Sequence, residues 1–191
     1  VVVTKGRSVD EIAGLFGRGQ LDFGENRAQE LVAKAPALPA AIRWHFVGPL
    51  QTNKVRLVRP LAHLLHSMDR LELGAAWMKG PGLPPPALLQ VNIGREEQKH
   101  GVGPDEAAAA WAALARLGVP LAGVMGIPPV GEQAEDARPW FQELRRIRDG
   151  IAAERGGPVE LSMGMSDDFE VAVEEGATII RVGRAIFDPL S

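Results

Sequence analysis

The chain has 191 residues, 46% hydrophobic and 24% charged, and its 21 basic and 24 acidic side chains give a formal charge of −3. That is ordinary globular composition, which excludes a disordered or low-complexity chain and makes one domain the expectation. No apolar run approaches the ~18–20 residues of a membrane span, Val1-Val2-Val3 gives way at once to Thr4-Lys5, and no basic cluster stands out, so membrane, signal-peptide and nucleic-acid readings fall away.

Short β-branched or apolar runs alternate with amphipathic stretches along the whole length, as in strands buried on both faces and covered by helices. Eight runs read as strands: 1–4, 20–23, 43–47, 63–67, 87–93, 121–125, 159–161 and 178–182. Between them, Ser8-Val9-Asp10-Glu11 is a capping box opening a helix over 9–16, and Pro104-Asp105-Glu106 starts an Ala-rich helix over 107–117. Ser166-Asp167-Asp168 caps a stretch to Glu175, with Gly176 as its C-terminal stop. The Pro/Gly segment 80–86 reads as a stiff surface loop, because each side of it alone holds only four strands, too few to close a barrel. Eight β-α units in one domain, residues 1–191, predict an α/β fold of the (β/α)8 TIM-barrel type, with a doubly wound open sheet as the alternative. The length is low for that barrel, which typically takes ~250 residues, and an N-terminal helix before the first strand is the expected missing piece.

In such a barrel the C-terminal ends of the strands form the active face. Lys5, Glu25-Asn26, His45, Gly48-Pro49, Ser67, Asp69, Asn92, Met125, Ser162-Met163-Gly164, Arg181 and Gly183 all fall there. Lys5 ends an apolar strand, so a desolvated stem and a lowered pKa are expected, freeing the amine for Schiff-base chemistry. Of the other four lysines, Lys34, Lys54 and Lys79 fall on predicted helices, where solvated positions are expected, and Lys99 is the second candidate near the mouth. The loops after the last two strands carry Gly164, Ser166 and Gly183, a setting in which barrels bind phosphate through backbone N–H groups. The four His residues have no metal-ligand spacing, and His63 and His66 point to opposite faces of one strand, so no metal is expected. Trp44, Trp77, Trp111 and Trp140 read as packing residues. Zero Cys removes disulfides, thiolate metal sites and Cys nucleophiles and fits a reducing, cytoplasmic setting, while zero Tyr removes any phenolic acid or base.

Several stretches, read in order, resemble one known family: 2–5 (VVTK), 23–30 (FGENRAQE), 44–54 (WHFVGPLQTNK), 66–69 (HSMD), 161–169 (LSMGMSDDF), Arg181-Val182-Gly183 and Ala185-Ile186-Phe187. The family is that of the pyridoxal 5′-phosphate (PLP) homeostasis proteins, single-domain relatives of the alanine racemase N-terminal barrel, and the resemblance spans essentially the whole chain. It implies that PLP, a vitamin B6 cofactor, forms an aldimine with Lys5. It further implies that Ser166, Gly183 and the next residue, here Arg184, cradle the phosphate, that Arg181 faces the pyridine nitrogen, and that Asn26 lies beside the site. Two positions depart from the family: Arg184 replaces a small hydroxyl residue and Asp188 replaces a Gly. Arg184 either bonds phosphate through its guanidinium or offers only its backbone N–H.

The function implied is a cytoplasmic, non-catalytic PLP carrier, monomeric, with PLP-dependent apo-enzymes as partners and neither nucleic acid nor membrane among them. A PLP-dependent racemase is the alternative, and it needs acid/base groups on both faces of the substrate, the second of which is a Tyr from another domain in the two-domain racemases. A Schiff-base aldolase acting on sugar phosphates is the third reading, disfavoured by the whole-chain resemblance.

Overall fold

The computed structural model describes residues 1–188. Seven strands form one all-parallel sheet in sequential order: β1 (Val2–Val3), β2 (Asp22–Glu25), β3 (Arg43–Phe46), β4 (Ala62–Met68), β5 (Ala87–Val91), β6 (Leu121–Gly126) and β7 (Glu160–Ser162). The expected eighth strand is present only as two isolated parallel bridges, Ser162 with Ile179 and Val2 with Val182. The Val3 N–H donates to the Val182 carbonyl at 2.8 Å and the Val182 N–H to that of Val1 at 3.0 Å. Residues 178–182 therefore join β7 to β1 and draw the two edges of a curled sheet together.

The helices are α1 (Val9–Phe16), α2 (Ala28–Lys34), α3 (Val55–Val58), α4 (Leu71–Met78), α5 (Ala107–Arg116), α6 (Arg138–Arg155), α7 (Phe169–Glu174) and α8 (Arg184–Phe187). The capping box is realised at α1, where the Ser8 hydroxyl accepts from the Glu11 N–H and the Glu11 carboxylate accepts from that of Ser8. The second strand starts two residues later than its apolar run, because 17–20 still belong to the exit of α1. Gly19 is left-handed at φ 95° and the Gln20 N–H returns to the Leu15 carbonyl. The 80–86 loop is pinned as well as Pro-rich: Arg59, itself buried, donates to the Pro81 and Gly82 carbonyls, and Trp77 Nε1 donates to that of Pro85.

Two apolar clusters divide the interior. The larger lies between the strands and the helices and includes Phe23, Trp44, Phe46, Trp77, Phe141 and Leu144, with Trp111 and Trp140 packed against it. The smaller consists of Leu64, Leu88 and Met125, backed by Ala122, Ile127 and Ile179. This second set occupies the other face of the sheet, where most of the buried polar groups described below also lie.

Candidate functional site

A cavity of about 470 Å³ opens at the C-terminal ends of the strands. Lys5, Asn26, Ser166, Arg181, Gly183 and Arg184, all singled out from the sequence, line it together with Arg7, Gly48, Pro49 and Ile127.

Lys5 follows β1 on a tight turn held by α2. Lys34 Nζ donates to the Thr4 carbonyl at 2.8 Å, to Glu25 Oε1 at 2.7 Å and to Glu30 Oε2 at 2.9 Å. Glu30 Oε2 also accepts the Gly6 N–H at 2.9 Å, and the Thr4 hydroxyl donates to Glu25 Oε1 at 2.5 Å. The backbone on both sides of Lys5 is thus clamped while its side chain is left free of hydrogen bonds and ion pairs among the described residues. Two expectations are corrected here. Lys5 is exposed, so its stem is not desolvated, and Lys34 is buried, not solvated. Glu25 is fully buried and its carboxyl is pushed up by burial, which Lys34 and Thr4 only partly oppose.

Arg181 forms the floor. It is buried, donates from Nη1 to Ser162 Oγ at 2.6 Å and from Nη2 to the Gly126 carbonyl at 3.1 Å, and burial lowers its pKa to about 10 against the opposing charge of Asp168. It remains a cation at neutral pH.

Ser166 was expected at a helix start, but Asp168 stands directly before α7, its side chain making no cap to that helix and its Oδ1 accepting the Met165 N–H at 2.6 Å instead. The Ser166 hydroxyl turns instead to the next loop, accepting from the Gly183 N–H at 3.4 Å and the Ala185 N–H at 3.3 Å. These long contacts bring two backbone donors and a hydroxyl to one point, the grouping an anion needs. A Cβ on Gly183 would lie 3.1 Å from the Val3 carbonyl oxygen, so this close approach of chain to chain favours Gly. Gly48 is tighter still, its added Cβ meeting the Asn26 oxygen at 2.2 Å.

The Arg184 guanidinium is largely exposed and pairs with Asp167. Asp188 pairs with Arg7, whose guanidinium also lies 4.7 Å from the Phe187 ring centre, tying α8 to the loop after β1. Asn26 Oδ1 is buried at the cavity wall with no hydrogen-bond partner among the described residues. Lys99 lines a separate, smaller cavity beside this one and is paired with Glu96 at 2.5 Å. Asn92, another strand-end residue, folds back on its own loop, its side chain donating to the Glu96 carbonyl at 2.9 Å. His45 and Ser162 lie beneath the cavity, joined there by His66, a mid-strand residue of β4 that the strand-end pattern does not single out.

The model of the alanine racemase N-terminal domain family matches residues 3–189. The chain is 43% identical over 182 residues to the pyridoxal phosphate homeostasis protein of Aquifex aeolicus, covering 92% of this chain and 80% of the relative. It is 40% identical over 195 residues to that of Deinococcus radiodurans, covering 98% and 87%. Among solved structures, PipY of Synechococcus elongatus with PLP bound superposes with a TM-score of 0.84 at 32% identity, covering 98% of this chain and 91% of that one. The lysine/ornithine decarboxylase of Vibrio vulnificus, at 15% identity and a TM-score of 0.72, covers 97% of this chain and 56% of that one and shares the fold alone. With relatives at 40–43% identity covered over most of their length and the family model matched almost end to end, the chain belongs to the pyridoxal phosphate homeostasis proteins, built on the alanine racemase N-terminal domain fold.

Proposed function

We propose that this chain holds pyridoxal 5′-phosphate in the 470 Å³ cavity as part of vitamin B6 homeostasis and releases it to acceptors without turning over amino acids. The observation that carries the reading is the convergence of an amine unpaired among the described residues, a buried guanidinium and a hydroxyl with two backbone N–H donors around one space. These groups match the cofactor's aldehyde, ring nitrogen and phosphate, and the unpartnered Asn26 Oδ1 adds an acceptor at the wall. The names of the relatives and the PLP-bound PipY structure support the same reading.

When bound, the cofactor supplies an aldehyde that condenses with amines and a ring that can draw electrons from them. Lys5 is the covalent anchor. Ser166 and the backbone N–H groups of the Gly183–Ala185 stretch would hold the phosphate, the Arg184 side chain being engaged by Asp167. Arg181 would meet the ring nitrogen, and because its guanidinium stays protonated it could donate a hydrogen bond there but not accept a proton.

The curled sheet with its bridging segment is read as a closed (β/α)8 barrel, residues 1–191 as one domain, and the protein as a cytoplasmic monomer that passes the cofactor to PLP-dependent apo-enzymes. Among the described residues no helix is long and apolar enough to cross a membrane. A racemase reading is disfavoured by the lack of any Tyr in the sequence. Two assays on one sample test the proposal: reactivation of an apo-enzyme acceptor, expected, and alanine racemisation at typical enzyme rates of ~1–10³ per second, which would overturn it.

A further inference from the structure

Beneath the cavity, five polar side chains from five different segments form an unbroken chain along the interior of the curled sheet. Arg181 Nη1 donates to Ser162 Oγ at 2.6 Å, Ser162 Oγ lies 3.0 Å from His66 Nδ1, His66 Nε2 lies 2.9 Å from His45 Nδ1, and His45 Nε2 lies 3.1 Å from Asp22 Oδ1. Asp22 begins β2, at the end of the strands opposite the Lys5 cavity, and also pairs with Arg43. The apolar residues Leu64, Leu88 and Met125 share this interior.

The proton positions follow from the chemistry of the two ends. A guanidinium has no lone pair, so Ser162 Oγ accepts from Arg181 and its own proton goes to His66 Nδ1. Neutral His66 then carries its proton on Nε2 and donates it to His45 Nδ1, and His45 donates from Nε2 to the Asp22 carboxylate. Both imidazoles favour the neutral form: burial lowers His45 to about 4 and holds His66 well below the ordinary histidine value. Burial raises the Asp22 carboxyl, but Arg43 and His45 outweigh it and the net shift is downward, toward the ionised form. All four links therefore donate in one direction, from cation to anion, in an interior where such chains reinforce one another.

We propose that Ser162, His66, His45 and Asp22 are positioning residues for Arg181, a one-directional relay that fixes the guanidinium under the cavity and transmits the charge of Asp22 from the far end of the strands. This rests on the PLP reading only for the identity of the ligand that meets Arg181, so the first test is made on the unliganded protein. At neutral pH, nitrogen-15 spectra should show His45 and His66 both protonated on Nε2, and Arg181 Nη signals sharp and resolved from slow rotation. Asp22→Asn, a change at a partly exposed rim, should shift the His66 ring nitrogens and broaden the Arg181 signals, and Ser162→Ala should do so more strongly. Arg43→Gln, which removes the other Asp22 partner but not the relay, should leave both near wild type. On addition of PLP, Asp22→Asn should move the visible absorbance maximum and weaken binding at least threefold. A His66 protonated on Nδ1, or Asp22→Asn spectra identical to wild type in a protein of unchanged near-ultraviolet circular dichroism, would overturn the relay. Absence of any bound PLP spectrum in the wild type would instead overturn the cofactor reading, with the nitrogen spectra still deciding the relay.

Discussion

Lys34 Nζ lies 2.8 Å from the carbonyl oxygen of Thr4, one residue before Lys5, and the same ammonium neutralises Glu25 from 2.7 Å. The amine that faces the cavity is thus placed by a second lysine that does not. Removing one partner of a buried ion pair strands the other, at ~3–5 kcal/mol. Lys34→Met should cost about that much in urea denaturation, because Glu25 is fully buried and its Oε2 already has no partner among the described residues. The double variant Lys34→Met/Glu25→Leu should recover a large part of the loss. A single variant as stable as wild type would show that the clamp contributes nothing to stability.

Gly183→Val places a branched side chain where an added Cβ already lies 3.1 Å from the Val3 oxygen, beside the two N–H donors assigned to phosphate. Affinity for PLP should fall more than tenfold, ~1.4 kcal/mol or more, by fluorescence titration. Gly183→Ala should fall between the two. An unchanged dissociation constant would move the phosphate elsewhere.

The buried imidazoles make stability depend on pH with a definite sign. His45 titrates near 4 in the folded chain against 6.5 when free, and lowering the pH from 7 to 5 charges the unfolded chain but not the folded one. Stability is therefore complete above the free value and lost progressively as pH falls from about 6.5 toward about 4, by ~2 kcal/mol at pH 5 from His45 alone. His66, shifted in the same direction, adds to the loss. Denaturation midpoints at pH 7 and pH 5 check this, and His45→Gln should flatten the slope. A wild-type stability indifferent to that change would contradict neutral buried imidazoles.

The floor of the cavity gives a further expectation. Arg181→Lys keeps a cation but loses the planar fork that serves Ser162 and the Gly126 carbonyl together, leaving at least one of them unsatisfied in the interior. We expect a loss of ~1–3 kcal/mol in stability and a shifted absorbance maximum with PLP. Both measurements unchanged would place the ring nitrogen away from Arg181.

The cavity lining was legible in the sequence because strand ends in parallel α/β folds converge on one face, and Lys5, Asn26, Ser166, Arg181, Gly183 and Arg184 share that placement. Lys34 was not, since a Lys in the last turn of an amphipathic helix has the same pattern whether it meets solvent or a buried Glu25. The His45–His66 contact was hidden for a related reason: alternation along a strand assigns a face but not the partner on the neighbouring strand. Residues 178–182 have strand composition, yet pair only at Ile179 and Val182, too sparsely for a continuous ladder.

If the Lys5 amine carries the cofactor, a covalent label will find it. Protein loaded with PLP and treated with borohydride should, after digestion, show the added mass on the peptide containing Lys5, and Lys5→Ala should lose both that mass and the visible absorbance band. The band retained in Lys5→Ala with the mass on Lys99, which lines the neighbouring cavity, would contradict the account.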